Sequence, residues 1–280
     1  MAGSIEELLE VLVLEKRSDA VHRGVSPAAG SRSRVFGGQV LAQSLVAAST
    51  AAPKACHPGS IQATFLRPGD LAHPIDYAVE LLAQDDVARL VRIVARQAGP
   101  PIYEAVVRLV VGNLSAQPRA EGAEAGAVDG LPDFEQRTRA AEFAADPADW
   151  SAIEYRYATP LDGRDWQLVY HRAGGPLPDD PAIHAAVHAY ACDLTLIDTI
   201  LYRFGLRYGL EGLQVASLDH SMWFHRPLRA DGWTAHRQQL VTCTGARGLV
   251  LGEMTGRDGR VAITTAQEGL VRIPSDHPAR

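Results

Sequence analysis

The feature of this sequence that most constrains its fold is an internal repeat at a spacing of 159 residues. From about residue 65 to 110, the first copy aligns with the second without a gap. Conservative pairs such as Leu82/Val241 occur at the same spacing. The identical pairs are Phe65/Phe224, Arg67/Arg226, Pro68/Pro227, Leu81/Leu240, Leu90/Leu249 and Val91/Val250. Because the order of the predicted elements also matches, we predict an internal duplication.

A predicted helix opens each copy of the repeat. In the first copy, Gly37-Gly38 precede an apolar stripe at helical spacing, formed by Val40, Leu41, Leu45 and Val46. In the second copy, Asp193 precedes a stripe with the same period, formed by Leu194, Ile197, Leu201 and Phe204. We therefore expect the second helix to begin at Asp193.

Strand-like runs follow each helix. In the first copy they cover residues 60–66, 75–83, 87–97 and 101–111, and in the second 213–225, 234–243, 247–256 and 260–272. The dipeptide Asp258-Gly259 is a strong hairpin signal. A helix followed by an antiparallel meander, occurring twice, predicts an α+β fold. A sheet wrapped round a central helix is the hotdog arrangement, and two such units make a double hotdog. A doubly wound parallel sheet is the alternative, but neither GxGxxG nor GxxxxGK[ST] occurs.

Between the two copies lies a segment that has the composition of a surface linker. It is rich in Ala, Glu and Gly, and large apolar residues are scarce from Ser115 to Val128. We predict an N-terminal unit at 1–112, a linker at 113–150 and a C-terminal unit at 151–280. Each unit is near the typical size of a domain.

Composition narrows the function class without naming an activity. With 33 acidic residues against 27 Lys and Arg, the net charge of −6 gives no broad basic surface for nucleic acid. No apolar run is long enough to span a bilayer. Residues 1–16 have the leucine spacing of a short amphipathic helix and lack a basic signal-peptide start. We expect a cytoplasmic protein.

The three cysteines, Cys56, Cys192 and Cys243, are far apart and lack metal-type spacing. We therefore expect reduced thiols and no metal site. A cysteine nucleophile would need a nearby histidine as its base, and none is recognisable beside Cys192 from spacing.

Three polar residues of the second copy have both a structural and a functional interpretation. Asp193 is a favoured helix N-cap type, and the same carboxylate could act as a general base toward water. Strand alternation places Ser217 on one face with Asp219, Ser221 and Trp223, a pattern typical of a solvent-facing surface. Gln267 lies in the last strand, where exposure is the default and an amide can instead hold a water.

The sequence resembles acyl-CoA thioesterase II, the bacterial TesB family. The resemblance rests on Val35-Phe36-Gly37-Gly38-Gln39-Val40, Phe65-Leu66-Arg67-Pro68-Gly69-Asp70, Asp219-His220-Ser221-Met222-Trp223-Phe224-His225-Arg226-Pro227 and Gln267-Glu268-Gly269. These motifs occur in the family's order and cover about residues 5 to 273. The run from Asp219 to Pro227 is the most specific.

The resemblance implies a double hotdog that hydrolyses acyl-CoA with water, without a cofactor and without a covalent acyl-enzyme. In that family an Asp, a Thr or Ser hydroxyl and a Gln hold the attacking water. By resemblance these roles fall on Asp193, Ser217 and Gln267. Backbone N–H groups at the helix start after Gly37-Gly38, Gly38 in particular, are a candidate for the oxyanion hole.

The repeat also predicts how many catalytic sites the chain carries. At the spacing of 159 residues, Ser217 corresponds to Pro58 and Gln267 to Arg108. Proline has no polar side-chain group and arginine cannot accept a hydrogen bond. We therefore expect one site per chain, formed mainly by the second copy.

Two other functions remain open from the sequence. One is a hydratase or dehydratase of acyl thioesters, which would need an Asp/His pair. His184 and His188 have the right helical spacing, although we expect them on a helix surface. The other is a non-catalytic acyl-CoA-binding module. Because hotdog sheets expose edges and flat faces, a homo-oligomer is expected in either case.

Overall fold

The computed structural model describes residues 2–27, 34–53, 55–112, 128–133, 135–137, 152–159, 162–206, 208 and 210–273. Most of the predicted linker lies outside the described residues. Four helices of eight or more residues occur within the described part of the chain. They are α1 (Ile5–Leu12), α2 (Gly37–Ser49), α3 (Pro181–Asp193) and α4 (Leu196–Arg203). No described helix has the length and apolarity needed to cross a membrane.

The strands occur in two series that flank the linker. The first series is β1 (Glu15–Ser18), β2 (Val21–Gly24), β3 (Cys56–Phe65), β4 (Ile75–Gln84), β5 (Ala88–Arg96) and β6 (Pro101–Val111). The second is β7 (Ile153–Tyr157), β8 (Trp166–Ala173), β9 (Gln214–Ser217), β10 (Asp219–Phe224), β11 (Thr234–Thr244), β12 (Arg247–Thr255) and β13 (Val261–Arg272). The eight predicted strand-like runs are confirmed to within a few residues at most ends. Strands β1, β2, β7 and β8 were not predicted.

All described strands pair in one antiparallel sheet. When the strand order is read outward from the middle of the sheet, it is the same in both halves. The order is β1-β2-β4-β5-β6-β3-β10-β13-β12-β11-β8-β7, and β9 pairs with β13 beside that path. Strands β3 and β10 join the halves at the middle, where Ile61 pairs with Met222. Shifted by 159 residues, β5 coincides with β12 at both ends. The duplication and the α+β double-hotdog fold are confirmed.

Helices α2 and α3 pack against each other in the core, and both have 13 residues. Only 0–6% of His184, His188 and Tyr190 in α3 is exposed. Because α3 is buried on almost every side, its Ala-rich sequence has no one-sided apolar stripe, and periodicity did not reveal it. The surface position expected for His184 and His188 is therefore wrong.

The predicted start of the second helix is also wrong. Asp193 is the last residue of α3, and Thr195 is the N-cap of α4. The N-cap of α3 is Asp180, whose side chain accepts a hydrogen bond from the backbone N–H of Ala182, and Pro181 follows it at the first helical position. The apolar stripe after Asp193 belongs to α4. The predicted helical period of this stripe is therefore correct, and the predicted first residue of the helix is not.

A one-residue irregularity at Leu218 separates β9 from β10. Ser217 pairs with Gly269, and Ser221 pairs with Ala266, so the strand gains one residue relative to β13. The extra residue moves Ser217 to the same side as His220. The predicted face, shared by Ser217 and Asp219, is therefore wrong, because a regular two-residue alternation was assumed.

The N-terminal segment packs over the second half. Ser4 caps α1 by accepting from the N–H of Glu7, which confirms the predicted amphipathic helix. The backbone N–H of Ala2 donates to the hydroxyl of Tyr190 in α3 at 3.0 Å. One residue within the predicted linker, Arg137, contacts the same half, where it is buried and donates to Gln167.

Candidate active site

The carboxylate of Asp193 lies at the buried C-terminal end of α3, and only 6% of the residue is exposed. Its Oδ1 atom accepts three hydrogen bonds. Nε2 of Gln267 donates at 2.6 Å, Oγ of Ser217 at 3.2 Å and Nδ1 of His220 at 3.3 Å. Three side-chain donors therefore converge on one buried carboxylate oxygen.

The three residues implied by the resemblance meet at this oxygen. Ser217 ends β9, and Gln267 lies in β13, so the sheet brings both toward the end of α3. Nε2 of Gln267 also donates to Oγ of Ser217 at 3.0 Å. The amide orientation follows from this network, because the reverse orientation would place its oxygen against the carboxylate of Asp193. Oε1 of Gln267 is buried and has no hydrogen-bond partner among the described residues.

The second carboxylate oxygen, Oδ2, faces the start of α2. A Cβ added at Gly37 would lie 2.9 Å from Oδ2 of Asp193 and 3.2 Å from the ring of Phe65. Glycine at this position therefore leaves room between the helix backbone and the carboxylate. Oδ2 accepts no hydrogen bond from the described part of the chain, which leaves it available to a water or a substrate.

A cavity of about 260 Å³ opens beside this carboxylate. Asp193 and Ser217 line it, whereas Gln267 and His220 do not. Most of the remaining lining is apolar, including Val35, Phe36, Val40, Phe65, Tyr103, Ile197 and Val215. Arg34 and Arg67 also line it, and both are exposed. The arrangement suits a ligand with an apolar chain, a reactive group near Asp193 and a polar part toward the solvent.

The first turn of α2 borders the same cavity. Its N-cap, Phe36, contributes no side-chain hydrogen bond, so the first N–H groups of the helix are not capped. Gly37 lines the cavity, whereas Gly38 does not. A Cβ at Gly38 would come within 2.5 Å of the Phe36 ring and 2.8 Å of the Tyr190 carbonyl oxygen. Close packing between α2 and α3 accounts for glycine at that position.

A contact between Cys192 and His220 lies behind Asp193 and was not predicted from the sequence. Sγ of Cys192 lies 3.3 Å from Nε2 of His220, whose other ring nitrogen contacts Asp193. Spacing alone does not reveal a histidine beside Cys192, and tertiary packing brings His220 there. The thiol is fully buried, and burial raises its pKa well above the usual value. It does not line the cavity, so it is not placed as a nucleophile. His220 lies in the most specific motif, which was the available signal.

A layer of buried histidines continues away from the site. Nε2 of His171 lies 3.1 Å from Nδ1 of His188, and His236 contacts Oγ1 of Thr265 at 3.3 Å. Burial lowers the pKa of both His171 and His236 to about 3. Burial also lowers the pKa of His188 well below its usual value. These rings are neutral at physiological pH and act as hydrogen-bonding core residues.

The geometry combines a carboxylate, a hydroxyl and an apolar cavity. A water bound between Oδ2 of Asp193 and Oγ of Ser217 would lie at the cavity surface, where it could attack an electrophilic carbonyl. The uncapped start of α2 offers backbone donors for the negative charge that develops on the carbonyl oxygen.

Comparisons with known proteins agree with this arrangement. Residues 144–270 match the family model for acyl-CoA thioesterase, and residues 26–111 match the model for the acyl-CoA thioesterase N-terminal domain. The chain is 31% identical to acyl-CoA thioesterase 2 of Haemophilus influenzae over 285 residues, which covers 98% of this chain and 99% of the relative.

Two solved structures share the architecture over almost the whole chain. A tesB protein of Mycobacterium avium subs paratuberculosis superposes with a TM-score of 0.81 at 27% identity, covering 96% of this chain and 100% of the other. Acyl-CoA thioesterase II TesB2 of Mycobacterium marinum superposes with a TM-score of 0.76 at 30% identity, covering 96% and 98%.

Proposed function

We propose that Asp193 activates the water that attacks the substrate. The chain belongs to the acyl-CoA thioesterase family and hydrolyses acyl-CoA thioesters. The observation that supports this assignment is that the two oxygens of the Asp193 carboxylate have different surroundings. Oδ1 accepts hydrogen bonds from three side chains, whereas Oδ2 faces the cavity beside Gly37. One oxygen fixes the position of the group, and the other is left for chemistry.

The reaction then proceeds by direct attack of water. Asp193 removes a proton from the water while the water oxygen forms a bond to the thioester carbon. The resulting tetrahedral intermediate collapses, the carbon–sulfur bond breaks, and the thiolate of CoA takes up a proton. The products are a carboxylic acid and free CoA. Holding the water and the thioester together supplies the entropic part of the rate enhancement.

Ser217 and Gln267 have different parts in this proposal. Ser217 lines the cavity, so its hydroxyl can contact the water directly. Gln267 is 1% exposed and does not line the cavity. Its amide donates to both Asp193 and Ser217, and thereby fixes the two groups relative to each other. Gln267 thus acts on the water through its neighbours.

We assign the oxyanion hole to backbone N–H groups in the first turn of α2, at Gly37 and Gly38. The uncapped N-terminus and the proximity of Gly37 to Asp193 support this assignment. Arg34 and Arg67, at the polar side of the cavity, suit the phosphates of CoA.

Only one catalytic site per chain is proposed. Pro58 and Arg108 stand at the positions that correspond to Ser217 and Gln267. Since α2 and α3 have equal lengths, Ser49 at the end of α2 corresponds to Asp193. None of Asp193, Ser217 and Gln267 therefore has the same residue type at its corresponding position in the first copy.

The two alternative functions are less well supported. His184 and His188 do not line the cavity beside Asp193, so they cannot serve a hydratase or dehydratase there. His220 contacts Asp193 but is fully buried behind it. A non-catalytic binding module would not need a carboxylate with one oxygen left open toward the cavity.

Three further assignments are also proposed: the domain bounds, the cellular location and the oligomeric state. We assign residues 1–112 and 151–280 to two hotdog units, since each contributes six positions to the same strand order. A cytoplasmic location is proposed from the sequence. Self-association is proposed because the strands of the sheet expose several large apolar side chains, namely Leu81, Leu82, Trp223, Val241 and Leu251. Light scattering at several protein concentrations tests it.

The experiment for the mechanism measures thiol release from a panel of acyl-CoAs. Wild type and Asp193→Asn are compared at saturating substrate. We expect release by wild type and a loss of about 10²–10⁴-fold in kcat for the variant, the usual contribution of a general base. Release that is unchanged in Asp193→Asn would reject the assignment.

A further inference from the structure

A second cavity, of about 200 Å³, lies at the opposite end of the α2–α3 pair from Asp193. It corresponds to the catalytic cavity through the internal repeat. The chain from Phe65 to Gly69 lines the catalytic cavity, and the equivalent residues, 159 positions later, include Phe224, Arg226 and Leu228, which line the second. Likewise, the start of α2 borders one cavity and the start of α3 borders the other.

His184 has an unsatisfied donor in the lining of this second cavity. Its Nδ1 accepts a hydrogen bond from the backbone N–H of Ala230 at 3.1 Å. The proton of the neutral ring is therefore on Nε2. Nε2 is buried and has no partner among the described residues, and only 6% of His184 is exposed.

Arg226 adds a second unsatisfied donor, on a guanidinium group whose charge is paired with Asp258. Its terminal Nη2 donates to Asp258 at 2.5 and 2.6 Å, but Nε is buried and has no partner in the part of the chain that the structure describes. Two buried donors without acceptors in the lining of one cavity are uncommon in native proteins, where buried polar groups are nearly always satisfied. They indicate a ligand with two acceptor atoms.

The rest of the lining defines the other part of that ligand. Phe224, Leu228 and Ile263, with three prolines, give part of the lining an apolar surface. Asp179 and Arg229 also line the cavity and form an ion pair with each other at 2.9 Å. The volume of about 200 Å³ is smaller than the 260 Å³ of the catalytic cavity, which favours a short chain. We propose that this cavity is a non-catalytic binding site for a short aliphatic carboxylate. One carboxylate oxygen accepts from Nε2 of His184, the other from Nε of Arg226, and the chain packs on the apolar residues.

This proposal goes beyond the thioesterase activity. The hydrolysis of a short acyl-CoA releases a carboxylate of the same class, so the second cavity can hold product while the first turns over. No bond is made or broken there, because the cavity has no equivalent of Asp193 or Ser217. Binding at this site does not depend on Asp193, and its failure would leave the catalytic assignment intact.

The test uses hexanoate and 6-bromohexanoate with the full chain. In crystals grown with 6-bromohexanoate, we expect an anomalous bromine peak inside the second cavity and carboxylate density within hydrogen-bond distance of Nε2 of His184. Bromine only in the catalytic cavity, or only water beside His184, would overturn the proposal. This measurement on the wild-type chain does not depend on the folding of any variant.

Calorimetric titration with hexanoate provides the solution test. Loss of a hydrogen bond to a charged group should weaken binding at the second cavity about 10- to 100-fold in His184→Leu. The matched control is His22→Leu in β2, which removes another buried histidine whose Nδ1 has no partner among the described residues. Hexanol, which keeps the chain and lacks the carboxylate, should not compete. Equal hexanoate binding by His184→Leu and wild type, or full competition by hexanol, would contradict the proposal.

Discussion

Ser217 and His220 bind the same atom, Oδ1 of Asp193, at 3.2 and 3.3 Å. The residues are three apart, so in a regular strand they would lie on opposite faces. The irregularity at Leu218 brings them to one side. The orientation of the proposed base therefore depends on a local change of register between β9 and β10.

Turnover should require a hydroxyl group at position 217, which either serine or threonine can supply. We expect Ser217→Thr to retain kcat within about threefold and Ser217→Ala to lose about 10- to 100-fold, the range for one hydrogen bond to a charged group. Steady-state thiol release measures both. Ser221→Ala is the control, because Ser221 lies in β10 on the face opposite His220. Equal activity of the Ala and Thr variants at position 217 would contradict a role for the hydroxyl.

Asp193 should be distinguishable from a nearby carboxylate, the half-buried Asp219. Asp219 accepts the backbone N–H of Glu268 at 2.9 Å, a contact that an asparagine oxygen can keep. We therefore expect Asp219→Asn to retain most of the activity, whereas Asp193→Asn loses about 10²–10⁴-fold in kcat. Thermal unfolding of both variants controls for folding. A comparable loss of kcat in the two would indicate a structural effect.

Gly37→Ala should separate activity from stability. Alanine is the better helix former by about 0.5–1 kcal/mol, but its Cβ would lie 2.9 Å from Oδ2 of Asp193. We expect kcat to fall by at least about tenfold, since the methyl group displaces the oxygen that binds water. Gly99→Ala is the control, because the nearest atom to its added Cβ is 3.7 Å away. Full activity of Gly37→Ala would remove the spatial argument for this oxygen.

Cys192 should not carry the acyl group. Its thiol is buried and its pKa is raised, so little thiolate is available. We expect Cys192→Ala to keep kcat within about tenfold, the loss reflecting one weak hydrogen bond to His220. Mass spectrometry of the wild-type enzyme during turnover should show no acyl adduct. An acylated Cys192 peptide would replace direct water attack by a covalent mechanism.

The buried histidines should make the fold sensitive to acid. His171 and His236 have pKa values of about 3 in the folded chain, against 6.5 for an ordinary histidine. Between about pH 6.5 and 3 the unfolded chain binds these protons and the folded chain does not. The free energy of unfolding should therefore fall with pH by up to about 1.4 kcal/mol per pH unit for each histidine.

Urea unfolding between pH 7 and 5 measures this dependence. His236→Gln should remove the share of one histidine from the slope, since glutamine does not titrate. His73→Gln is the control, because the side chain of His73 is 58% exposed. An unchanged slope in His236→Gln would show that other groups dominate the acid response.

Local patterns in the sequence were sufficient for the strands and for the duplication. Strand period and turn residues located β4, β5, β11 and β12, because each depends on neighbouring residues. The same method misplaced the start of the second helix, since α3 is buried all round and carries no stripe. It could not show that Cys192 lies against His220, because 28 residues separate the pair in the chain and only tertiary packing brings them together.

The two copies are joined in one chain and pair through β3 and β10, which affects how substitutions at the two ends can evolve. In a symmetric pair of identical chains, a substitution that suits one site is imposed on the other. In a fused chain, each end is encoded separately. Ser217 can be retained at one end while Pro58 occupies its counterpart at the other. Selection can then maintain turnover at the first end and shape recognition at the second, without either change compromising the other.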